Sequence, residues 1–146
     1  MRLEHPTNTC FGCGPANPRG MKLIFESDED ARRIRGTFRL GSEYQGAVGM
    51  LHGGITAVLL DEAMGKVCRF RGVRAVTAEL TVEYRRPILV DQEIIVEAYE
   101  ADAKGRNLFF EGEIRGTDGS VLARGRGRFV VIGEREAAKP AAMQQD

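Results

Sequence analysis

Gly46-Ala-Val-Gly49-Met-Leu-His52-Gly53-Gly54-Ile55-Thr-Ala-Val-Leu-Leu60-Asp61-Glu62-Ala-Met-Gly-Lys-Val-Cys68 contains the one long helical pattern in the chain, expected to run from His52 to about Arg69. Apolar residues at 55, 58 and 59, with others at 57, 60, 63, 64 and 67, cover most of its circumference. A helix apolar nearly all round must be buried on most of its sides. It is too short, and too interrupted by charge, to span a membrane. Something else in the chain has to wrap it.

The flanking sequence supplies strands. Downstream, Val73 to Tyr84, Ile94 to Tyr99, Leu108 to Arg115 and Val121 to Ile132 are β-branched, aromatic or partly alternating. Turns fall at Pro87 with Asp91, at Asp102-Ala-Lys-Gly105 and at Thr117-Asp-Gly-Ser120. Connections this short make neighbouring strands antiparallel. Upstream, Met21 to Glu26 and Arg33 to Arg39 read as two more strands joined by the polar turn Ser27-Asp-Glu-Asp30. Each strand needs one dry face and the helix needs cover on several sides, so the expected fold is α+β, an antiparallel sheet curled around one helix. A parallel sheet would need several crossover helices. Residues 1–20, rich in Cys, Gly, Asn and Pro, are expected as an irregular lead-in, 21–133 as the domain, and 134–146 as a disordered tail.

Composition excludes several function classes. The 146 residues fit one domain, and a 42% hydrophobic share gives it a real core. The formal net charge of +0 provides no global attraction to nucleic acid or to an anionic membrane. Arg124, Arg126 and Arg128 share one strand face, which either meets the phosphates of a carrier or is simply solvated. Phe109 and Phe110 are expected in the core, since no basic groove accompanies them as a base-stacking platform would require. The opening residues lack the apolar stretch of a signal peptide, and three cysteines are an odd number, so a reducing cytoplasm is the expected location.

Chemistry concentrates where the helix begins. Gly53 and Gly54 either let a substrate approach the unpaired N–H groups and positive dipole end of the first turn, or let the helix pack tightly on the sheet. The first arrangement would stabilise an oxygen that becomes negative during acyl transfer. Asp61 follows Val58-Leu-Leu60 in the middle of the apolar helix, where a charge is expensive unless paired or useful. It is a candidate general base or nucleophile; otherwise it lies on the one wet stripe of the helix. Glu62 points about 100° away. Gly53 and Asp61 stand ~12 Å apart along a helix, too far to share one carbonyl. If both take part, each comes from a different subunit, most simply across a two-fold dimer.

Gln45-Gly46-x-x-Gly49-x-x-His52-Gly53-Gly54-Ile55-x-Ala57-x-Leu59-x-Asp61-Glu62 resembles the hotdog-fold thioesterases of the phenylacetate-pathway (PaaI-like) type. The likeness runs from about Cys10 to Val131, and the opening Cys10-Phe-Gly-Cys-Gly14-x-x-Asn17-Pro18-x-Gly20 is similar to one branch of that family. The resemblance implies a hotdog fold and hydrolysis of acyl-CoA or acyl-carrier thioesters. It places Asp61 as the catalytic carboxylate, Gly53 N–H as the group that polarises the thioester carbonyl, and Thr77 at a position that helps hold the attacking water. His52 and Gly54 fall in the substrate-binding motif with Glu62. Relatives that carry an Asn six residues before the His have Gly46 matched here, with Gln45 adjacent as the substitute. No metal and no cofactor are implied, and the partners are acyl-CoA and further copies of the chain, as a homodimer or homotetramer.

Three other readings compete. Cys10 and Cys13 form a C-x-x-C, but a structural zinc needs four ligands and only Cys68, His5 and His52 remain, so a tight turn with two small buried thiols is expected. A hotdog dehydratase pairs a His with a helix Glu, yet the ten residues from His52 to Glu62 are fewer than that arrangement uses. A non-catalytic acyl-CoA sensor would need neither Asp61 nor Thr77, and normally carries an effector domain for which this chain leaves no room. Hydrolysis is the expectation carried forward.

Overall fold

The computed structural model describes residues 7–135. In chain order the elements are β1 (Glu26–Asp28), β2 (Arg33–Arg39), α1 (Gly53–Lys66), β3 (Val73–Tyr84), β4 (Glu93–Lys104), β5 (Asn107–Gly116) and β6 (Val121–Glu134), with 3₁₀ turns at Ser42–Tyr44 and Val67–Arg71. The strands form one six-stranded sheet in the order β1-β2-β4-β5-β6-β3, every pairing antiparallel. α1 lies across it and touches β2 through β6.

The helix seats where the sheet has no side chains. A Cβ on Gly112 of β5 would stand 3.2 Å from Leu60, and one on Gly125 of β6 would stand 3.2 Å from Leu60 and 3.3 Å from Met64. Bare backbone at these points lets the sheet close onto α1. Leu59, Leu60, Ala63 and Met64 are fully buried and meet Ile34, Val96, Phe110, Ile114 and Phe129 in a single core. On the opposite face Glu97 lies near Arg33, Arg35 and Arg115, while Glu113 pairs with Arg115 and Arg124. Arg124 and Arg128 of β6 are thus held by carboxylates on neighbouring strands. Phe110 is fully buried, but Phe109 on the other face of β5 is only half-buried.

Three expectations need correction. Met21 to Phe25 is not a strand: Met21, Leu23 and Phe25 alternate inward, but Met21 N–H and Leu23 N–H donate to Phe11 and Gly12 carbonyls of the lead-in. The strand is Glu26–Asp28, so the turn begins later than Ser27. The strands are all antiparallel, as the short connections implied, and β3 and β4 follow one another without pairing, because the 85–92 connection carries the chain from the sheet edge to its middle. Within this chain α1 buries only one stripe, Thr56, Leu59, Leu60, Ala63 and Met64, the i, i+3, i+4 spacing of a helix on a single sheet. Ile55, Ala57 and Val58 stay half-buried. The expected tail lies almost wholly outside the described residues, since β6 continues to Glu134.

Candidate active site

α1 starts at His52, whose extended backbone (φ −61°, ψ 135°) makes it the N-cap. Its imidazole Nδ1 accepts the Gly54 N–H at 2.8 Å. A Cβ on Gly54 would stand 3.1 Å from that same nitrogen and press on the cap, while its nearest neighbours within 4 Å are atoms of His52 and not of the sheet. Gly53, the first helical residue, is different. Among the described residues its N–H has no acceptor, and its carbonyl accepts the Tyr84 hydroxyl at 2.7 Å. Gly53 and Gly54 are both exposed. An exposed, unpaired N–H at a helix start is free to donate to an oxygen that approaches from outside the helix.

The loop ahead of the helix is braced by the residue expected to compensate for Gly46. Gln45 Oε1 accepts from Gly49 N–H at 2.9 Å, while Gly46 N–H donates to the Met50 carbonyl at 2.9 Å. Gly49 sits at φ +80°, where a side chain is disfavoured. Gln45 Oε1 and His52 Nδ1 are therefore both spent on shaping the loop.

Asp61 lies two turns further along α1. Thr77 Oγ1 of β3 donates to Asp61 Oδ1 at 2.7 Å. The sheet register slips between Thr77 and Glu79, a β-bulge beside the contact. Bulges of this kind re-aim side chains near functional sites. Glu62, turned the other way, meets the lead-in and accepts from Cys10 Sγ at 3.4 Å. Asp61, Glu62 and Thr77 line a cleft of about 410 Å³ together with Cys10, Cys13 and Lys66. Gly53 opens onto a separate cavity with Met50, Tyr84 and Pro87. One chain thus unites Asp61 with Thr77 and keeps both apart from Gly53.

Cys13 is buried, as expected of the C-x-x-C turn, but Cys10 is only half-buried. The Sγ atoms of both and a Glu62 oxygen lie within 4.8 Å of one another; His5 lies outside the described residues. Lys66 Nζ donates to Cys13 Sγ at 3.1 Å, and burial, offset in part by that ammonium, pushes the thiol up to about 12. Cys68 is pushed up to about 11 by burial. Lys66 and Tyr84 were not foreseen from sequence. No local pattern links the end of β3 to the start of α1, or the helix's second half to the lead-in.

Comparison with known proteins places this geometry in a family. The Thioesterase superfamily profile matches residues 48–123. Acyl-coenzyme A thioesterase THEM4 of Rattus norvegicus is 33% identical over 103 residues, 70% of this chain and 44% of that protein, and the Bos taurus form is 28% identical over 42% of its length. Among solved structures, a thioesterase superfamily protein superposes with a TM-score of 0.78 at 32% identity, over 84% of this chain and 60% of that one. BH2602 protein from Bacillus halodurans, solved with CoA, gives 0.67 at 30% identity, over 78% and 76%. The chain belongs to the thioesterase superfamily, and its sheet curled on one long helix is the hotdog fold. It spans less than half the length of the THEM4 relatives it matches. No helix of the described residues is long and apolar enough to cross a membrane.

Proposed function

We propose that this chain hydrolyses acyl-CoA or acyl-carrier thioesters, with Asp61 as general base. The observation that carries the reading is the Thr77–Asp61 hydrogen bond at 2.7 Å in the cleft between α1 and β3. That bond fixes the carboxylate and leaves its other oxygen for a water. The Thr77 hydroxyl, donating to Asp61, keeps its own lone pairs to accept from the same water. Asp61 takes the water proton as the oxygen attacks the thioester carbon. The oxyanion forms on the N–H of Gly53 of the partner subunit, and collapse expels the thiolate, which recovers the proton.

The shared site rests on three features of the single chain. Asp61 and Gly53 open onto different cavities. β3 ends the sheet, so one edge of a twelve-residue strand has no strand partner among the described residues. Such an edge invites pairing with a second copy. The half-buried residues beside the stripe of α1, Ile55 and Val58 on one side and Ala57 on the other, are then covered in a dimer or a dimer of dimers, as a helix buried on most sides requires. His52, Gly54 and Gln45 act by presenting the Gly53 N–H, and Glu62 borders the cleft. The proposed setting is cytoplasmic.

The test is thiol release from a panel of short, long and aromatic acyl-CoAs, with Asp61→Asn alongside. Loss of the base should lower kcat by roughly 10²–10⁴-fold. A wild-type protein that binds acyl-CoA tightly yet releases no thiol from any member would make it an acyl-CoA-binding module instead.

A further inference from the structure

One cluster in the cleft is left without a part in hydrolysis: Cys10, Cys13, Glu62 and Lys66. We propose that Cys10 and Cys13 are a modification site, a dithiol that peroxide closes to a disulfide, with Cys10 attacking first and Cys13 resolving.

Proximity comes first. The two sulfurs lie within 4.8 Å of each other in a turn closed by Gly14 N–H on the Cys10 carbonyl at 2.8 Å. Asn8, 1% exposed, holds that turn: its Oδ1 accepts the Cys10 N–H at 2.8 Å and its Nδ2 lies 3.6 Å from Cys13 Sγ. A turn held this way keeps both thiols side by side, and bonding needs their sulfurs to close from within 4.8 Å to the ~2.05 Å of a disulfide.

The two thiols are also unlike each other. Cys10 is half-buried, lines the cleft and gives its S–H to Glu62 Oε1, a base positioned to draw off the proton. Cys13 is 3% exposed and receives only donors, Lys66 Nζ and Asn8 Nδ2. Burial keeps its proton on up to about pH 12, so it is not the first nucleophile. An accessible thiol with a base, beside a buried thiol with a hydrogen-bonded ammonium, is the division of labour between an attacking and a resolving cysteine.

A bound metal fits less well. Cys10, Cys13 and Glu62 provide three donors, one fewer than a closed zinc site uses, and the Lys66 ammonium stands 3.1 Å from one of the sulfurs. A cation entering there would have to displace another cation.

The chemistry balances with a peroxide as oxidant. The Cys10 thiol gives its proton to Glu62, its sulfur attacks one peroxide oxygen, and the O–O bond breaks. Glu62 returns the proton to the departing hydroxide, leaving Cys10 as a sulfenic acid and one water. Cys13 sulfur then attacks Cys10 sulfur; the S–O bond breaks and the hydroxyl leaves with the Cys13 proton as a second water. Two thiols are oxidised and one peroxide is reduced. Closure removes the S–H donated to Glu62 and the acceptor used by Lys66. These two stand four residues apart on α1 and can pair instead, in the cleft that Asp61 also lines. A lowered rate of hydrolysis in the closed form follows from that rearrangement, and this part alone rests on the proposed thioesterase reading.

The experiment treats the full chain with hydrogen peroxide, alkylates it with a maleimide in denaturant, and reads intact mass and peptide maps. All three cysteines should be labelled before treatment, Cys68 alone afterwards, and all three again after dithiothreitol. Cys13→Ser should stop at a Cys10 sulfenic acid captured by dimedone, and Cys10→Ser should resist peroxide. Melting curves confirm that the variants fold. Three labels surviving on the wild type, a bridge between chains or to Cys68, or equal peroxide reactivity of the two serine variants would overturn the proposal. Hydrolysis is measured separately on both forms: equal rates would overturn the link to Asp61. A reduced protein inactive on every acyl-CoA would sink the thioesterase reading and leave the thiol result standing.

Discussion

Gly53→Pro isolates the proposed oxyanion donor with little disturbance of the fold. Gly53 is the first helical residue, where proline is well tolerated because its missing N–H would be unpaired anyway. Its N–H has no acceptor among the described residues, so no structural hydrogen bond is lost. The preceding residue must be extended ahead of a proline, and His52 already is, at ψ 135°. A Cβ at 53 meets the Tyr84 side chain at 3.5 Å, an ordinary contact. Stability should therefore change by less than about 1 kcal/mol. Loss of one oxyanion donor lowers kcat by about 10²–10³-fold, or roughly 3–4 kcal/mol of transition-state stabilisation. Steady-state thiol release beside a thermal melt reads both, and Gly53→Ala, which keeps the N–H, controls for bulk. Mixing Gly53→Pro with Asp61→Asn subunits adds a test of the shared site. Random exchange gives half heterodimers with one intact site each, so about a quarter of wild-type activity should return. A folded Gly53→Pro protein with wild-type kcat, or a Gly53→Ala protein equally impaired, would refute the donor assignment. Mixed variants that exchange subunits yet stay inactive would refute the composite site.

Other outcomes follow from single contacts. Thr77→Val removes a hydrogen bond to a carboxylate; at an exposed position this should lower kcat by roughly tenfold with KM little changed, and Thr77→Ser should restore it. Gly125→Ala forces a methyl to 3.2 Å from Leu60 and 3.3 Å from Met64, so urea unfolding should show a loss of about 1–3 kcal/mol. Burial raises the Cys13 and Cys68 thiols from 9.0 to about 12 and about 11, so the folded chain keeps protons that the unfolded chain releases. Their contribution is fully present below about pH 9 and is lost as the pH climbs toward 11–12. Denaturant midpoints should fall across that window, and Cys68→Ala should flatten the fall.

Periodicity along the chain was enough for the architecture. One helical repeat between runs of β-branched residues admits few arrangements, and the glycines before Ile55 with an aspartate inside an apolar helix single out the candidate site residues of α1. The ~12 Å between Gly53 and Asp61 needs only the helix rise, so even their separation was legible. Strand adjacency was not, because hydrophobic alternation says which face is dry but not which strand lies alongside. Hence β3 pairs with β6 rather than β4, and Met21 to Phe25 alternates inward without joining the sheet. The side-chain contacts were beyond the residue pattern for the same reason, and only the family resemblance put Thr77 near Asp61. Thr77 reaches Asp61 across 16 residues, Tyr84 reaches Gly53 across 31, and Lys66 reaches Cys13 across 53. Contacts between distant residues depend on strand order, a bulge and the seat of the helix on bare glycines, and tertiary packing alone fixes those.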